Sequence, residues 1–216
     1  MITWDSIDVV IPAVVSIPER LQSLTTLLAD LAIQCPGVVV HTIPQWTTDK
    51  YTERDAFVAI SNVLAGATRR WVIYMEEDVE LDPEFGARVP QILTELPSTH
   101  PFGAVSFFSS DEQDKERLAK GVYIYEREEF FHSQCIAMRL HVAQAWQRMI
   151  VPWWDAAPQR KKRCIDLSFG SCCKEIGTNL LTYLPSLVQH RQIPSGYGHT
   201  ICPRSNTFGA GNGDHI

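Results

Sequence analysis

Strand-like and helix-like segments alternate over the first 75 residues, and this order constrains the fold more than any other feature. Residues 7–15 form an almost unbroken apolar run, which is typical of a parallel strand covered on both faces. The segments in order are a strand Ile7–Val15, a helix opening at Ser16–Arg20, a strand Val38–Val40, a helix over 52–67 and a strand Trp71–Met75. This alternation predicts an α/β fold with a Rossmann-like half-sheet, joined by right-handed crossovers.

The first helix has a recognisable start and stop. Ser16 or Ile17 is expected at its N-terminal cap, with Pro18 in the first turn. The pair Pro36-Gly37 is expected to end it. The apolar stripe that would face the sheet comprises Leu21, Leu24, Leu27, Leu28 and Leu31.

Three acidic residues, Glu76, Glu77 and Asp78, follow the strand Trp71–Met75 directly. In α/β proteins the ligand crevice lies beyond the carboxyl ends of the strands. Carboxylates gathered there repel one another unless a cation or a ligand lies among them, and Mg²⁺ or Mn²⁺ takes oxygen ligands that it shares with substrate phosphates. The segment therefore predicts a metal–nucleotide site. The alternative is an exposed acidic turn before a helix starting near Pro83, since acids favour helix N-termini.

The second half of the chain is less regular. A polar loop over 109–120 is expected to be mobile, and Pro194–Gly198 has the composition of a loop that moves over a ligand. The remaining elements are expected to be a helix Pro83–Leu96, strands Gly103–Phe108, Val122–Tyr125 and Phe131–Met138, a helix Leu140–Ile150, an irregular stretch from Pro152, a helix Leu167–Ile176 and a strand reaching Leu184.

Composition excludes several classes of protein. The 216 residues are 45% hydrophobic, enough for a packed core, and the net charge of −6 argues against a dominant grip on nucleic acid or anionic membranes. The basic run Arg160–Arg163 is a local exception that could contact a phosphate or lie in a solvated loop. The sequence shows no signal peptide, no membrane-spanning run and no metal-type cysteine spacing, so a cytoplasmic protein with reduced thiols is expected.

Two motifs together resemble a known family. The segment Glu-Glu-Asp-Val-Glu-Leu-Asp-Pro-Glu-Phe at 76–85 is similar to the Glu-Asp-Asp form of the Asp-x-Asp motif in GT-A glycosyltransferases, as found in eukaryotic N-acetylglucosaminyltransferases. Leu-Pro-Ser-Leu-Val-Gln-His at 184–190 resembles the strand that follows the acceptor region in many such enzymes. With the Ser-x-Pro-x-Arg helix start, the resemblance spans about residues 7–199. Glu77 departs from the pattern, which often has Asp there.

The resemblance implies a GT-A Rossmann-like fold, with a mixed, mostly parallel central sheet flanked by helices. It places a single GT-A domain over residues 1–208, with a nucleotide-sugar-binding half (7–100), an acceptor half (101–199) and a flexible tail (209–216). It implies a metal-dependent transfer from a nucleoside diphosphate sugar, UDP-sugar favoured, with Mn²⁺ or Mg²⁺ as cofactor. Asp78 and His190 would hold the metal, although a histidine at a strand end is also a common structural residue. The residues expected to contact the nucleotide sugar are Pro12, Ser16, Arg20, Asn62, Glu76 and Glu77, with a surface role open for Arg20 and Asn62.

An inverting transferase needs a base to take the proton of the acceptor hydroxyl. Asp166 is the candidate, lying where these families place the base, and its alternative role is the N-terminal cap of a helix. Asp155 is the second candidate. Trp153 and Trp154 would stack on the acceptor or belong to the core. The acceptor itself stays open between a glycan, a protein and a hydroxylated base in phage DNA, as does the oligomeric state.

Two other functions compete with glycosyl transfer. A sugar nucleotidyltransferase would carry a glycine-rich basic loop after the first strand, where this chain has Ala13-Val-Val-Ser-Ile-Pro. A catalytically inactive module that binds a sugar nucleotide or glycan would keep the fold and lack turnover. P-loop and serine-hydrolase motifs are absent from the sequence.

Overall fold

A computed structural model describes residues 1–45, 53–99, 102–126, 133–157, 165–193 and 203–209. The strands are β1 Ile7–Val14, β2 Val39–Gln45, β3 Trp71–Met75, β4 Val79–Leu81, β5 Ala104–Ser106, β6 Ile124–Glu126, β7 Cys135–Arg139, β8 Leu180–Tyr183 and β9 Val188–His190. The helices are α1 Pro18–Gln34, α2 Glu53–Ala65, α3 Phe85–Thr99, α4 Asp114–Ala119, α5 Leu140–Ala156 and α6 Ile165–Glu175, and a 3-10 turn Trp4–Ser6 precedes β1.

The centre of the fold is a seven-stranded sheet in the order β2-β1-β3-β7-β5-β8-β6. β2, β1, β3, β5 and β8 run in one direction, whereas β7 and β6 pair antiparallel with their neighbours. A second, two-stranded sheet pairs β4 with β9. The predicted α/β class, with a mixed, mostly parallel central sheet flanked by helices, is confirmed.

Helices cover both faces of the sheet, which explains why β1 and β3 are apolar at almost every position. Side chains at odd positions of β1 and β3, such as Ile11 and Ile73, pack with α1 and α3. Side chains at even positions, such as Val10 and Tyr74, pack with α2, α5 and α6. All five residues of β3 and all eight of β1 are buried, so the only polar groups that these strands present to a ligand lie at their ends.

Helix α1 starts where the sequence predicts, with Ile17 as its N-terminal cap and Pro18 in the first turn. Its apolar stripe is one residue narrower than predicted, because Leu21 is 45% exposed. The buried face instead includes Arg20 and Ser23, which lie beside Leu24. Polar residues replace an apolar contact here because this turn of the helix faces the acidic residues that follow β3.

Several segments are more regular than the sequence predicts. The loop expected over 109–120 contains α4, and Asp114 in it is fully buried, so the prediction of a mobile loop is wrong for this part. Helix α5 continues through Pro152 to Ala156, where an irregular stretch was expected. Strand β4 lies immediately after the three acids. The basic run 160–163, the loop 194–198 and the tail beyond 209 lie outside the described residues.

Four cysteines in the described ranges, Cys35, Cys135, Cys172 and Cys173, are free and buried. Burial raises the pKa of the Cys35 thiol to about 12. These thiols therefore pack as small apolar groups and are not nucleophiles at neutral pH.

Candidate metal centre

Polar residues from several elements meet at the carboxyl edge of the sheet. Glu76, Glu77 and Asp78 leave the end of β3, beside the end of β1. Strand β7 runs antiparallel to β3 and begins at this same edge, where Met75 pairs with Cys135. The backbone N–H of Glu76 donates to the carbonyl of Gln134 at 3.0 Å, which extends that pairing by one step. The start of β7 thus faces the acids.

The three residues Glu76, Asp78 and His190 form a cluster that could hold a metal ion. One ligand atom from each lies within 4.8 Å of the others. His190 reaches the acids because β9 pairs antiparallel with β4, which places it opposite Val79. Asp78 and His190 are 2% and 8% exposed, and Glu76 is partly buried. The sequence predicts Asp78 and His190 as metal ligands, and the fold brings them together.

The imidazole of His190 is oriented by the backbone. Its Nδ1 lies 2.7 Å from the carbonyl oxygen of Arg191, so Nδ1 carries the proton and donates to that oxygen. In the neutral imidazole, Nε2 is then the nitrogen that can bind a cation, and it lies 3.4 Å from Oδ2 of Asp78. A histidine whose second ring nitrogen donates to a carbonyl is the usual arrangement of a metal ligand, because it fixes the tautomer and the ring orientation.

The carboxylate of Asp78 is incompletely satisfied. Oδ2 accepts from Nη2 of Arg20 at 2.9 Å. Oδ1 is buried and has no hydrogen-bond partner among the described residues. A buried carboxylate oxygen without a donor is costly. A cation bound by Oδ1 would remove this cost, and two carboxylates with one neutral imidazole suit Mn²⁺ or Mg²⁺.

Glu77 has a different environment from its two acidic neighbours. It is 3% exposed, and its Oε1 accepts from Nε of Arg20 and, at 3.1 Å, from the backbone N–H of Val14. Its backbone carbonyl accepts from the Ser23 hydroxyl at 2.9 Å. Burial alone would lower the pKa of Arg20, but the hydrogen bond to Glu77 and the nearby acids raise it above its ordinary value. Arg20 and Glu77 therefore form a fixed pair that joins β1, α1 and the acid segment.

Glu76 is held by the residues that precede β7. The hydroxyl of Ser133 donates to Oε1 of Glu76 at 2.8 Å, and Nε2 of Gln134 lies 3.5 Å from Oε2. Burial is the largest cause that raises the pKa of Glu76 from 4.5 to about 8, and the charge of Asp78 acts in the same direction. The hydrogen bond from Ser133 opposes this shift. At neutral pH the metal-free site thus keeps a proton on Glu76.

This raised pKa predicts how metal binding depends on pH. A cation at Glu76 must displace the proton, so we expect the affinity for Mn²⁺ to rise about tenfold per pH unit between pH 6 and 8 and to level off above 8. Titrations followed by the electron paramagnetic resonance signal of free Mn²⁺ would measure this. Glu76→Gln has no proton to release there and should flatten the profile. An affinity that is independent of pH in the wild type would contradict the assignment of Glu76.

The same shift has a consequence for stability. The folded chain binds the Glu76 proton more tightly than the unfolded chain, so its stabilising contribution is complete below pH 4.5 and is lost as the pH rises through about 8. A bound cation compensates for the burial of the Glu76 charge and for its repulsion by Asp78, which together cause this loss. We therefore expect Mn²⁺ to raise the melting temperature more at pH 8 than at pH 6, with Glu76→Gln as the control.

The strand that carries His190 is supported from the far end of the chain. Oε1 of Gln189 accepts from the backbone N–H groups of His190 and Ser205, at 3.1 and 2.9 Å. Its Nε2 donates to the carbonyl of Ser205 at 3.1 Å. Beneath this contact, the hydroxyls of Ser205, Ser186 and Thr207 form a buried network. Segment 203–207 thus fixes the position of β9.

Pro12 and Ser16 lie on the strand and turn that lead into α1. Pro12 is buried inside β1, opposite Ile43, and Ser16 is exposed in the turn after the strand. Asn62 is remote from both, because it lies in the last turns of α2, whose following strand β3 begins at the opposite edge of the sheet. Its amide oxygen accepts from Gln147 on α5 at 3.0 Å. The fold therefore does not bring Asn62 to the acids.

The candidate bases lie at the acids' edge of the sheet, on the face covered by α2, α5 and α6. Helix α5 follows β7, begins at the amino edge of the sheet and ends with Ala156 at the carboxyl edge. Near this end, Asp155 lies 3.7 Å from Arg54 at the start of α2. Helix α6 begins at this edge, since the strand after it, β8, runs in the direction of β3. Asp166 lies in its first turn.

Further contacts define the surroundings of these candidates. The ring of Phe169, one turn after Asp166, lies 5.7 Å from that of Tyr74, two residues before Glu76. Oδ1 of Asp166 accepts from the backbone N–H of Leu167 at 3.0 Å. Trp153 and Trp154 are partly buried against the core, and Trp154 meets the edge of Phe57 at 5.1 Å. Both tryptophans keep some exposed surface.

Sequence reasoning missed Ser133, Gln134 and Gln189. The first two precede a strand, and polar residues that follow strands are the ones expected at a carboxyl edge. They face the acids only because β7 is antiparallel, a direction that an apolar run does not reveal. Gln189 lies within the motif at 184–190, but its partner Ser205 is 16 residues away along the chain.

No protein-family model matches the chain, and no curated protein matches it. Among solved structures, it is similar to a glycosyltransferase involved in the glycosylation of the major capsid of PBCV-1, at 10% identity over 83% of this chain and 92% of that chain, with a TM-score of 0.45. A CMP:2-keto-3-deoxy-manno-octonic acid synthetase in complex with CTP matches at 12% identity over 82% and 89%, with a TM-score of 0.46.

A Drosophila β-1,4-galactosyltransferase 7 variant in complex with manganese, UDP-Gal and xylobiose is similar at 13% identity over 93% of this chain and 75% of that chain, with a TM-score of 0.47. The similar structures thus include glycosyltransferases and a nucleotidyltransferase. These similarities are in fold alone and assign no activity to this chain.

Within the described residues, no helix combines the length and the apolar character that crossing a membrane requires.

Proposed function

We propose that the chain is a metal-dependent, inverting glycosyltransferase that moves a sugar from a nucleoside diphosphate sugar, UDP-sugar favoured, to an acceptor hydroxyl. The observation that carries this proposal is the cluster of Glu76, Asp78 and His190 at the carboxyl edge of a mixed α/β sheet. This edge is where α/β folds bind ligands. The cluster offers acceptor atoms to a cation, and Oδ1 of Asp78 has no other described partner.

The charges of the site suit one divalent cation. Three carboxylates and the guanidinium of Arg20 leave two negative charges when Glu76 is ionised. A divalent cation held by Glu76, Asp78 and His190 balances them. Such an ion, shared with a diphosphate, supplies Lewis-acid stabilisation of the charge that develops when the sugar departs. The residues of this chain supply the remaining functions of binding, orientation and proton transfer.

Arg20 and Glu77 position this site in the proposal. Their ion pair fixes the acid segment to Val14 at the end of β1 and to the first turn of α1. The nucleotide would lie along this end of β1, beside Ser16 and above the buried Pro12. Glu77 would then act on the nucleotide sugar indirectly, through Arg20 and the backbone. Its Oε1 already accepts hydrogen bonds from two groups of the protein, Nε of Arg20 and the N–H of Val14.

The proton of the acceptor hydroxyl needs a base at the same edge of the sheet. Asp166 and Asp155 both lie at the carboxyl edge, and Asp166 is the proposed base because it is partly buried, whereas the Asp155 side chain is 63% exposed and faces Arg54. An aspartate in the first turn of a helix is stabilised as the anion that a base requires. Trp153 and Trp154 would bind the acceptor with their exposed surfaces.

The experiment that tests the proposal is release of UDP from UDP-sugars. We expect wild-type protein with Mn²⁺ to release UDP, faster with acceptor, and EDTA to abolish the release. A panel of nucleotide sugars and acceptors, with products identified by mass spectrometry, would name both substrates. Metal-dependent binding of UDP-sugar without turnover on any acceptor would favour an inactive binding module, and release of pyrophosphate from a sugar phosphate and nucleoside triphosphate would favour a nucleotidyltransferase.

A further inference from the structure

Gln134 places an unused amide oxygen beside the acidic cluster. The residue is 7% exposed, and its Oε1 is buried without a hydrogen-bond partner among the described residues. Its Nε2 lies 3.5 Å from Oε2 of Glu76, at the long limit of a hydrogen bond. A buried amide that makes one long contact is poorly satisfied in this state. Its position at the start of β7 is fixed, because its own carbonyl accepts from the Glu76 N–H.

The neighbours of Gln134 explain what such an oxygen would bind. At this edge of the sheet, the unpaired oxygen of Asp78 and Oε1 of Gln134 are acceptors, and so is Nε2 of a neutral His190 imidazole. Protein donors near the acids are already assigned: Ser133 donates to Glu76, and Arg20 donates to Glu77 and Asp78. An excess of acceptors over donors favours a cation, and amide oxygens are normal ligands for hard divalent ions.

We propose that the side-chain amide oxygen of Gln134 is a fourth protein ligand of the cation held by Glu76, Asp78 and His190. This inference rests on the metal site of the proposed function and adds a neutral oxygen to it. Rotation of the amide about its last side-chain bond exchanges Oε1 and Nε2, so the oxygen can take the position that now faces Glu76. The hydrogen bond that the rotation breaks is the long contact at 3.5 Å.

A matched pair of variants tests this ligand without measuring turnover. Gln134→Leu removes the amide and keeps its approximate size. Gln45→Leu is the control, because Gln45 is another buried amide with no described partner, at the carboxyl end of β2, two strands from β3. The measurement is Mn²⁺ affinity by electron paramagnetic resonance without nucleotide, beside the melting temperature of each metal-free protein.

We expect Gln134→Leu to weaken Mn²⁺ binding about 10-fold or more, the scale on which metal-site partners act, and Gln45→Leu to leave it unchanged. Gln134→Glu, which restores an oxygen, should bind at least as tightly as wild type. If folded Gln134→Leu bound Mn²⁺ as tightly as the wild type, the inference would be overturned and the metal site would stand without Gln134. Failure of the wild type to bind Mn²⁺ would instead overturn the proposed function.

An equal loss in both Leu variants would also overturn the inference, since it would trace the effect to packing at the edge of the sheet. If Gln134→Leu kept its Mn²⁺ affinity but bound UDP-sugar more weakly, the amide would contact the donor and not the ion. If Gln134→Leu failed to fold, Gln134→Glu would carry the test alone, and a loss of Mn²⁺ affinity in that folded variant would overturn the assignment.

Discussion

Asp78→Asn is expected to abolish metal-dependent binding of UDP-sugar. The substitution removes the charge of the one carboxylate that contacts Arg20 through Oδ2, faces His190 and keeps a buried oxygen unpaired. The asparagine amide can turn its N–H₂ towards the cation position. Residues that only orient a metal ligand already change metal affinity by about 10- to 100-fold, so the loss of a direct ligand should have at least this effect. Calorimetry with Mn²⁺ and UDP, together and separately, would measure the loss.

The control for charge is Glu80→Gln. Glu80 lies on β4, two residues from Asp78, and is exposed, so its neutralisation changes the net charge equally without touching the cluster. We expect Glu80→Gln to bind Mn²⁺ as the wild type does.

His190→Ala should weaken Mn²⁺ binding more than it lowers the melting temperature. Unchanged UDP binding in Asp78→Asn, or full activity of the wild type in EDTA, would refute the metal site.

The acidic segment was predictable because its signal is local. The apolar strand Trp71–Met75 has the same bounds in the structure, and three acids after a buried strand must lie at the carboxyl edge. The sequence does not distinguish the acids from one another. The structure does, because α1 turns Arg20 towards Glu77 and Asp78, whereas Ser133 and Gln134 reach Glu76 from β7.

The motif at 184–190 shows where a local pattern is insufficient. It is not one strand, since β8 ends at Tyr183 and β9 begins at Val188. His190 reaches Asp78 only because β9 pairs with β4, and β4 has three residues, too few for a periodic signal. Long-range pairing therefore completes the candidate site. The sequence indicates His190 through the resemblance of the motif at 184–190 to GT-A enzymes, and not through its spacing from the acids.

The role of Asp166 is open to a sharp test because its two candidate functions respond differently to the same substitutions. As a base, it must accept a proton, which an asparagine cannot do. As a helix-end residue, it accepts the N–H of Leu167 through Oδ1, which an asparagine oxygen can also do. Asp166→Asn therefore removes the base and can keep this hydrogen bond, whereas Asp166→Ala removes both.

We expect Asp166→Asn to lower turnover about 10²- to 10⁴-fold, the usual contribution of a general base, with donor and Mn²⁺ affinities close to wild type. The predicted N-terminal cap role does not apply, because α6 begins at Ile165. The melting temperature should change little in Asp166→Asn, while Asp166→Ala should lose about 0.5–1.5 kcal/mol of stability if the hydrogen bond to Leu167 matters. The product should have the inverted anomeric configuration, because a single displacement reverses it. Steady-state kinetics, calorimetry and NMR of the product measure these three quantities.

The alternative outcomes separate the competing roles. Full activity of Asp166→Asn would leave Asp166 as a structural residue of α6 and make Asp155 the next base to test, with Asp155→Asn and with Arg54→Gln, which removes its 3.7 Å ion pair. If Asp166→Asn bound the nucleotide sugar more weakly, Asp166 would contact the nucleotide sugar and not the acceptor. Retention of configuration would refute the single displacement whatever the variants did, because it requires a second substitution at the same carbon and hence a different group at this edge of the sheet.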